Sequence, residues 1–140
     1  MSTILNDSRI TIQNLIKNGW KNAAGSVRTK IAWPGDTIEP PREKDKGWIR
    51  PTIQFGTGIV ATKNGRNTIA GTLICNIFMP KYRGDAEIYI KSDHFRDLFN
   101  RGESGNVRFG VPSGTALETR PEEGWRIGTI SIPFTADEEI

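Results

Sequence analysis

The chain has 140 residues, 36% hydrophobic and 25% charged, which is the balance of one domain, residues 1–140, with a core of its own. A lone cysteine, Cys75, excludes an internal disulfide framework, and no apolar run approaches the roughly 18 residues of a membrane span, so no membrane partner is expected. The N-terminal MSTILNDSR lacks the basic-then-apolar layout of a signal peptide, and synthesis in the cytoplasm is expected.

The net charge of +3 is unevenly spread. Residues 1–66 carry eleven Lys and Arg against five Asp and Glu, and residues 67–140 carry eight against eleven, ending in Asp137, Glu138 and Glu139. Opposite charges on the two halves suit subunits packed head to tail, although two ordinary solvated faces would read the same way.

The first element is a helix. Ile12, Leu15, Ile16, Gly19 and Ala23 form one stripe, with Asp7 or Ser8 as cap and Gly25 as stop. Val27–Trp33 alternates apolar and polar residues and reads as a short strand ended by Pro34-Gly35. Residues 35–47, GDTIEPPREKDKG, form an exposed charged loop, because Pro40-Pro41 blocks both helix and ladder. From Trp48 the pattern is β. One strand runs through Ile53, Phe55, Thr57, Ile59 and Ala61, the Asn64-Gly65 pair suits a type I′ turn, and the return strand is Asn67–Met79. Apolar residues on both faces of that return strand predict a central strand covered on both sides.

A second helix is expected over Asp85–Asn100, with Ile88, Phe95, Leu98 and Phe99 inward and Ile90 off the stripe. Val107, Phe109 and Val111 alternate as a short strand, and Pro112–Gly124 reads as turn-rich. Trp125–Phe134 is the last strand, with Ile130, Ile132 and Phe134 on one face and Pro133 marking an edge or strand end. Residues 135–140 form an acidic tail. The predicted class is α+β: a mostly antiparallel sheet built on a long β-hairpin, with two helices packed on one face.

No catalytic constellation emerges. His94 is the only histidine, which excludes multi-histidine metal sites; Asp93 and Asp97 beside it read as a polar helix face. Cys75 lies mid-strand among apolar neighbours, where a thiol acts as a small hydrophobe. Gly56-Thr57-Gly58 lacks the third glycine and following helix of a dinucleotide fingerprint, and Glu122-Glu123 has no evident base or cleft. The expectation is therefore no enzyme, no metal and no cofactor.

The basic residues point to surfaces instead. Arg42, Lys44 and Lys46 decorate the charged loop and lead into Trp48 and Arg50, a candidate protein interface in which Trp and Arg are enriched. Lys63 and Arg66 flank the hairpin tip and are candidates for phosphate contact without base readout. Trp33, Trp48 and Trp125 sit at strand ends, where they either close the core rim or anchor a partner.

The order of these segments resembles one known family. Trp48-Ile49-Arg50-Pro51 opens a strand, Ile69-Ala70-Gly71-Thr72-Leu73 lies in the return strand, and Phe78-Met79-Pro80 ends it. Gly84, a helix carrying Phe95 and Phe99, and a terminal strand over Ile127–Phe134 follow. Over residues 5–135, and most clearly 48–100, the pattern resembles the tail terminator (tail completion) proteins of long-tailed bacteriophages. The resemblance implies a structural virion protein that assembles as a homo-hexameric ring on the head-proximal end of the viral tail. Such a ring caps the tail tube protein, stops its polymerisation and offers a head-joining surface to the head-tail connector. DNA passes through the lumen of such a ring, Lys63 and Arg66 are candidates for facing it, and the 35–47 loop resembles a segment that orders on meeting the tube. Another neck or tail component, such as a head-tail joining or tube-like protein, is the alternative within this class. A non-specific nucleic-acid-binding module is the alternative outside it.

Overall fold

The computed structural model describes residues 4–21, 25, 29–33, 47–56, 61–63, 66–80, 85–99, 103–104, 106–120 and 125–137. The Pro34-Gly35 turn, loop residues 35–46, the Asn64-Gly65 turn and residues 138–140 lie outside these.

The sheet is organised by a strand of 15 residues, β4 (Arg66–Pro80). On one side it pairs antiparallel with β2 (Trp48–Phe55), from Trp48↔Phe78 to Phe55↔Gly71. On the other it pairs with β8 (Trp125–Asp137), from Thr68↔Asp137 to Pro80↔Trp125. A short β3 (Ala61–Lys63) also pairs with β4, and β7 (Ser113–Arg120) pairs with β8. β1 (Lys30–Ile31) lies parallel to β2, and β6 (Val107–Phe109) joins β8 to β5 (Glu103–Ser104). The order is β1-β2-β4-β8-β6-β5. The fold is thus α+β, a mostly antiparallel sheet built on a long hairpin, with two helices on one face.

Side-chain alternation explains the single layer of core. Ile69, Leu73, Cys75, Ile77 and Met79 of β4 and Ile130, Ile132, Phe134 and Ala136 of β8 are buried beneath the helices. Helix α1 (Ile4–Gly19) contributes Ile4, Ser8, Ile12 and Ile16 at four-residue spacing, and α2 (Asp85–Asp97) contributes Ile88, while Phe95 and Phe99 complete the layer. A chain of rings crosses it. Trp20, Phe95, Phe99, Phe109, Phe134 and Phe55 follow one another at centroid distances of 5.9, 5.3, 4.8, 6.5 and 5.8 Å. The Trp20 indole N–H donates to Thr29 Oγ1 at 3.0 Å, so its burial strands no donor.

Several expectations need correction. α1 begins at Ile4, because that residue extends the inward stripe by one turn. Ser8 is therefore no cap: it is buried within the helix and donates to the Ile4 carbonyl at 2.6 Å. α1 ends at Gly19 rather than near Gly25, and α2 ends at Asp97 rather than Asn100. The turn-rich 112–124 stretch contains β7, whose pairing with β8 overrides its weak strand pattern. The acidic tail begins later than residue 135, since β8 runs on to Asp137. β4 is sealed on one face only. The opposite face carries Thr72, Ile74 and Asn76 half-buried beside Thr129 and Ser131, and no described helix packs there.

Pro133 does not mark an edge strand, for β8 has partners on both sides. Its carbonyl accepts from Gly110 N–H at 2.7 Å, so residue 133 turns its backbone groups away from β4. It falls where β7 has ended and β6 has not begun, and the missing N–H costs no ladder bond there.

Among the described glycines, Gly47 and Gly71 sit where a Cβ would collide most closely with backbone. Gly47 has φ +68° and precedes Trp48, where a Cβ would strike the Phe78 carbonyl. At Gly71 a Cβ would lie 2.6 Å from the Gln54 carbonyl oxygen and 2.5 Å from the Phe134 ring. Gly71→Ala is expected to cost about 1–3 kcal/mol, as other overpacked sites do. Gly114→Ala, where a Cβ meets nothing within 4 Å, should stay within about 0.5 kcal/mol. Leu73→Ala, at 0% exposure, should cost about 2–5 kcal/mol. Chemical denaturation of the three variants checks this ranking, which equal losses would contradict.

Candidate interface at the free edge of the sheet

The β2 edge borders a concavity. Ile49 is the last β2 residue paired with β1, and its carbonyl accepts from Ala32 N–H at 2.8 Å. Gly56 N–H, by contrast, donates to the Ala70 carbonyl of β4 at 2.7 Å. Backbone groups alternate sides along a strand, so Pro51, Ile53 and Phe55 turn theirs away from β4. No described strand pairs with them there. Pro51 has no N–H to offer, which leaves the N–H and C=O groups of Ile53 and Phe55 along this edge.

Above the edge α1 and β2 enclose a cleft of about 310 Å³. Ile16, Trp33, Pro51, Ile53 and Phe55 give it an apolar lining, and Arg9 and Gln13 stand on its helix side. Arg9 is exposed yet held in place. Its Nε and Nη2 donate to Asn6 Oδ1 at 3.2 and 2.7 Å, and its Nη1 donates to Gln13 Oε1 at 2.8 Å. Both acceptors are neutral and sit three and four residues away on the same helix face. The guanidinium is therefore oriented without being neutralised, a state suited to an incoming carboxylate.

The far side of the sheet is built differently. Asp137 ends β8 and receives Arg108 as a fork, with Nη2 3.1 Å from Oδ1 and Nη1 on Oδ2. Thr68 Oγ1 donates to Asp137 Oδ1 at 2.7 Å, Asp137 N–H donates to the Asn106 carbonyl at 3.0 Å, and Asn106 Nδ2 donates to the Asp137 carbonyl at 3.1 Å. With side chains 50% and 30% exposed, the ion pair itself is worth at most about 1 kcal/mol. Its effect is geometric, holding Asp137 in place between β4 and β6.

Of the residues singled out in the sequence, Arg42, Lys44 and Lys46 lie outside the described residues. Trp48 is buried, stacked on Phe78 at 3.8 Å with the rings 1° from parallel, and closes the rim of a small second cluster with Ala32. Arg50 is half-buried on the open sheet face, in the register row of Asn76 and Thr129. Lys63 and Arg66 are brought directly opposite each other across the end of the hairpin. Sequence reasoning passed over Arg9, Gln13 and the cleft. The usable signal was the Asn6, Arg9, Gln13 spacing, which places three long or amide-bearing polar residues on one face of α1.

Cys75 is fully buried on the helix side of β4, and burial pushes its thiol far up from 9.0. Among the described residues no group of three or more His, Cys, Asp and Glu is placed to hold a metal ion, and no helix is long and apolar enough to cross a membrane.

No protein-family model and no curated protein matches the chain. Ten solved chains are similar to it. One of them, known by a serial designation only, superposes with a TM-score of 0.59 at 17% identity, covering 91% of this chain and 96% of its own. The α+β arrangement of two helices on a mostly antiparallel sheet is therefore a fold already seen in nature.

Proposed function

We propose that the chain is a tail terminator of a long-tailed bacteriophage, a non-enzymatic virion protein. It closes into a hexameric ring on the head-proximal end of the tail tube, stops tube polymerisation and receives the head-tail connector. The observation that best supports a ring is that the two sides of the sheet are unlike. One side presents backbone groups that no described strand pairs with and an oriented cation at Arg9, and towards the other Asp137 is tied down by Arg108, Thr68 and Asn106. Unlike surfaces on opposite sides of a subunit suit heterologous contacts, which close into rings when the rotation permits. The family resemblance over residues 48–100 supplies the ring's place and task.

The same reading assigns the hairpin end to the lumen. Lys63 and Arg66 are register partners at that end, and two basic residues suit the weak backbone contact that a passing duplex needs. Cys75, a thiol sealed in the core with its ionisation suppressed, is a packing element and not a nucleophile.

Electron microscopy of particles made without the protein should show overlong tails. Tails of normal length would sink the proposal. Cys75 should resist alkylation at pH 8 in the native protein and react fully in denaturant; rapid native labelling would contradict its structural role. Because the unfolded thiol ionises above pH 9.0 while the folded one does not, stability should fall with rising pH beyond that point, by about 1.4 kcal/mol per unit. Chemical denaturation between pH 8 and 11 should show this loss in the wild type and not in Cys75→Ala.

A further inference from the structure

We infer that residues 138–140 of one subunit dock as an added strand on the β2 edge of the next, with Glu138 on Arg9 and Ile140 in the cleft. The inference rests on the ring reading and names its subunit contact.

The cleft specifies its occupant. An apolar lining with one oriented, unneutralised guanidinium calls for a segment carrying an acid and an aliphatic side chain on the same side. Along an extended chain residues i and i+2 share a face roughly 7 Å apart, so Glu138 and Ile140 meet that requirement together. The outward N–H and C=O groups of Ile53 and Phe55 are the template for strand addition, in which main-chain bonds give affinity and side-chain pockets give selectivity. The segment continues β8, which is already extended up to Asp137.

A subunit cannot fill its own cleft this way. Asp137 lies opposite Thr68 and Ile53 opposite Leu73, so the two are five residues apart along the sheet (73 − 68) and separated by β4. At about 3.4 Å per residue and about 4.8 Å per strand, that is roughly 20 Å. Residues 138–140 span at most about 11 Å, and β8 runs away from the cleft. Contacts from Thr68 of β4, Arg108 of β6 and the neighbouring Asn106 hold Asp137 between those strands, away from the β2 edge. A neighbouring copy's cleft is the acceptor that this placement allows, and the contact it makes is heterologous.

The test is sedimentation velocity on the full chain across protein concentration, together with a labelled Thr-Ala-Asp-Glu-Glu-Ile peptide. Arg9→Glu and Glu138→Arg should each weaken subunit association at least tenfold, and the double variant should recover to within threefold of wild type. Unchanged association in both single variants, or no recovery in the double, overturns the docking while leaving the ring intact. If the wild type is monomeric at every concentration the ring reading fails, and the peptide decides the docking separately. Peptide anisotropy should then show binding that weakens at least tenfold in Arg9→Glu, with slowed hydrogen exchange at the Ile53 and Phe55 amides. No binding, or binding indifferent to Arg9 and without that protection, overturns it. A Thr-Ala-Asn-Gln-Gln-Ile peptide should bind at least tenfold more weakly than the acidic one, and equal binding counts against the charge contact.

Discussion

The structure depends on the unbroken register between β4 and β8. All 13 residues of β8 face partners on β4, from Asp137 opposite Thr68 to Trp125 opposite Pro80. Because side chains alternate, that one pairing decides which residues of both strands lie under the helices. Leu73 meets Ile132, Cys75 meets Ile130, and Ile69 meets Ala136, all on the buried face. β2 is then added on the other side of β4 in a register that brings Ile49 and Ile53 to the same face. The ring chain from Trp20 to Phe55 ties both helices to this layer.

The position of the candidate interface follows from the same pairing. β2 is longer than its partner β1, so its second half has no described neighbour on the outer side. α1 packs over β6 and β8 with its four-spaced stripe in the core, and its Arg9 and Gln13 flank the cleft that this half of β2 borders. The cleft is the space between a helix that must pack inward and a strand edge that extends past its neighbour. On the far side β6 holds the end of β8, and the polar clamp on Asp137 forms where Asn106, Arg108 and Thr68 converge. In both regions the charge stands at the margin of the core, Arg9 on the flank of α1 and Arg108 with Asp137 at the end of β8.

Legibility in the sequence followed the strength of periodic signals. The hairpin, the helical stripes and the inward face of the last strand were readable because Leu73, Phe95, Ile130 and their neighbours repeat at the spacing of their element. β7 was hidden, since Ser113–Arg120 has few apolar residues and owes its strand form to β8. The start of α1 was misplaced because Ser8, a residue common at caps, instead bonds its own helix backbone while buried. Trp48 had two readings, and only tertiary packing on Phe78 decides for the rim. The cleft was illegible for a different reason. Arg9, Trp33 and Phe55 belong to separate elements, and nothing local records that they share a concavity.

The two sheet prolines bear on misfolding rather than on stability. Pro133 and Pro51 both turn their nitrogens away from β4, toward gaps where no strand needs a donor. A slip of β8 or β2 by one residue would swing the proline nitrogen toward β4 and leave a central acceptor unanswered. The same slip would expose Ile130, Ile132 and Phe134, or Ile49 and Ile53, to solvent. Each outer strand of the hairpin core thus carries its own proofreading residue. Off-register pairings lose a hydrogen bond and a hydrophobic face together, and the sheet anneals toward a single alignment.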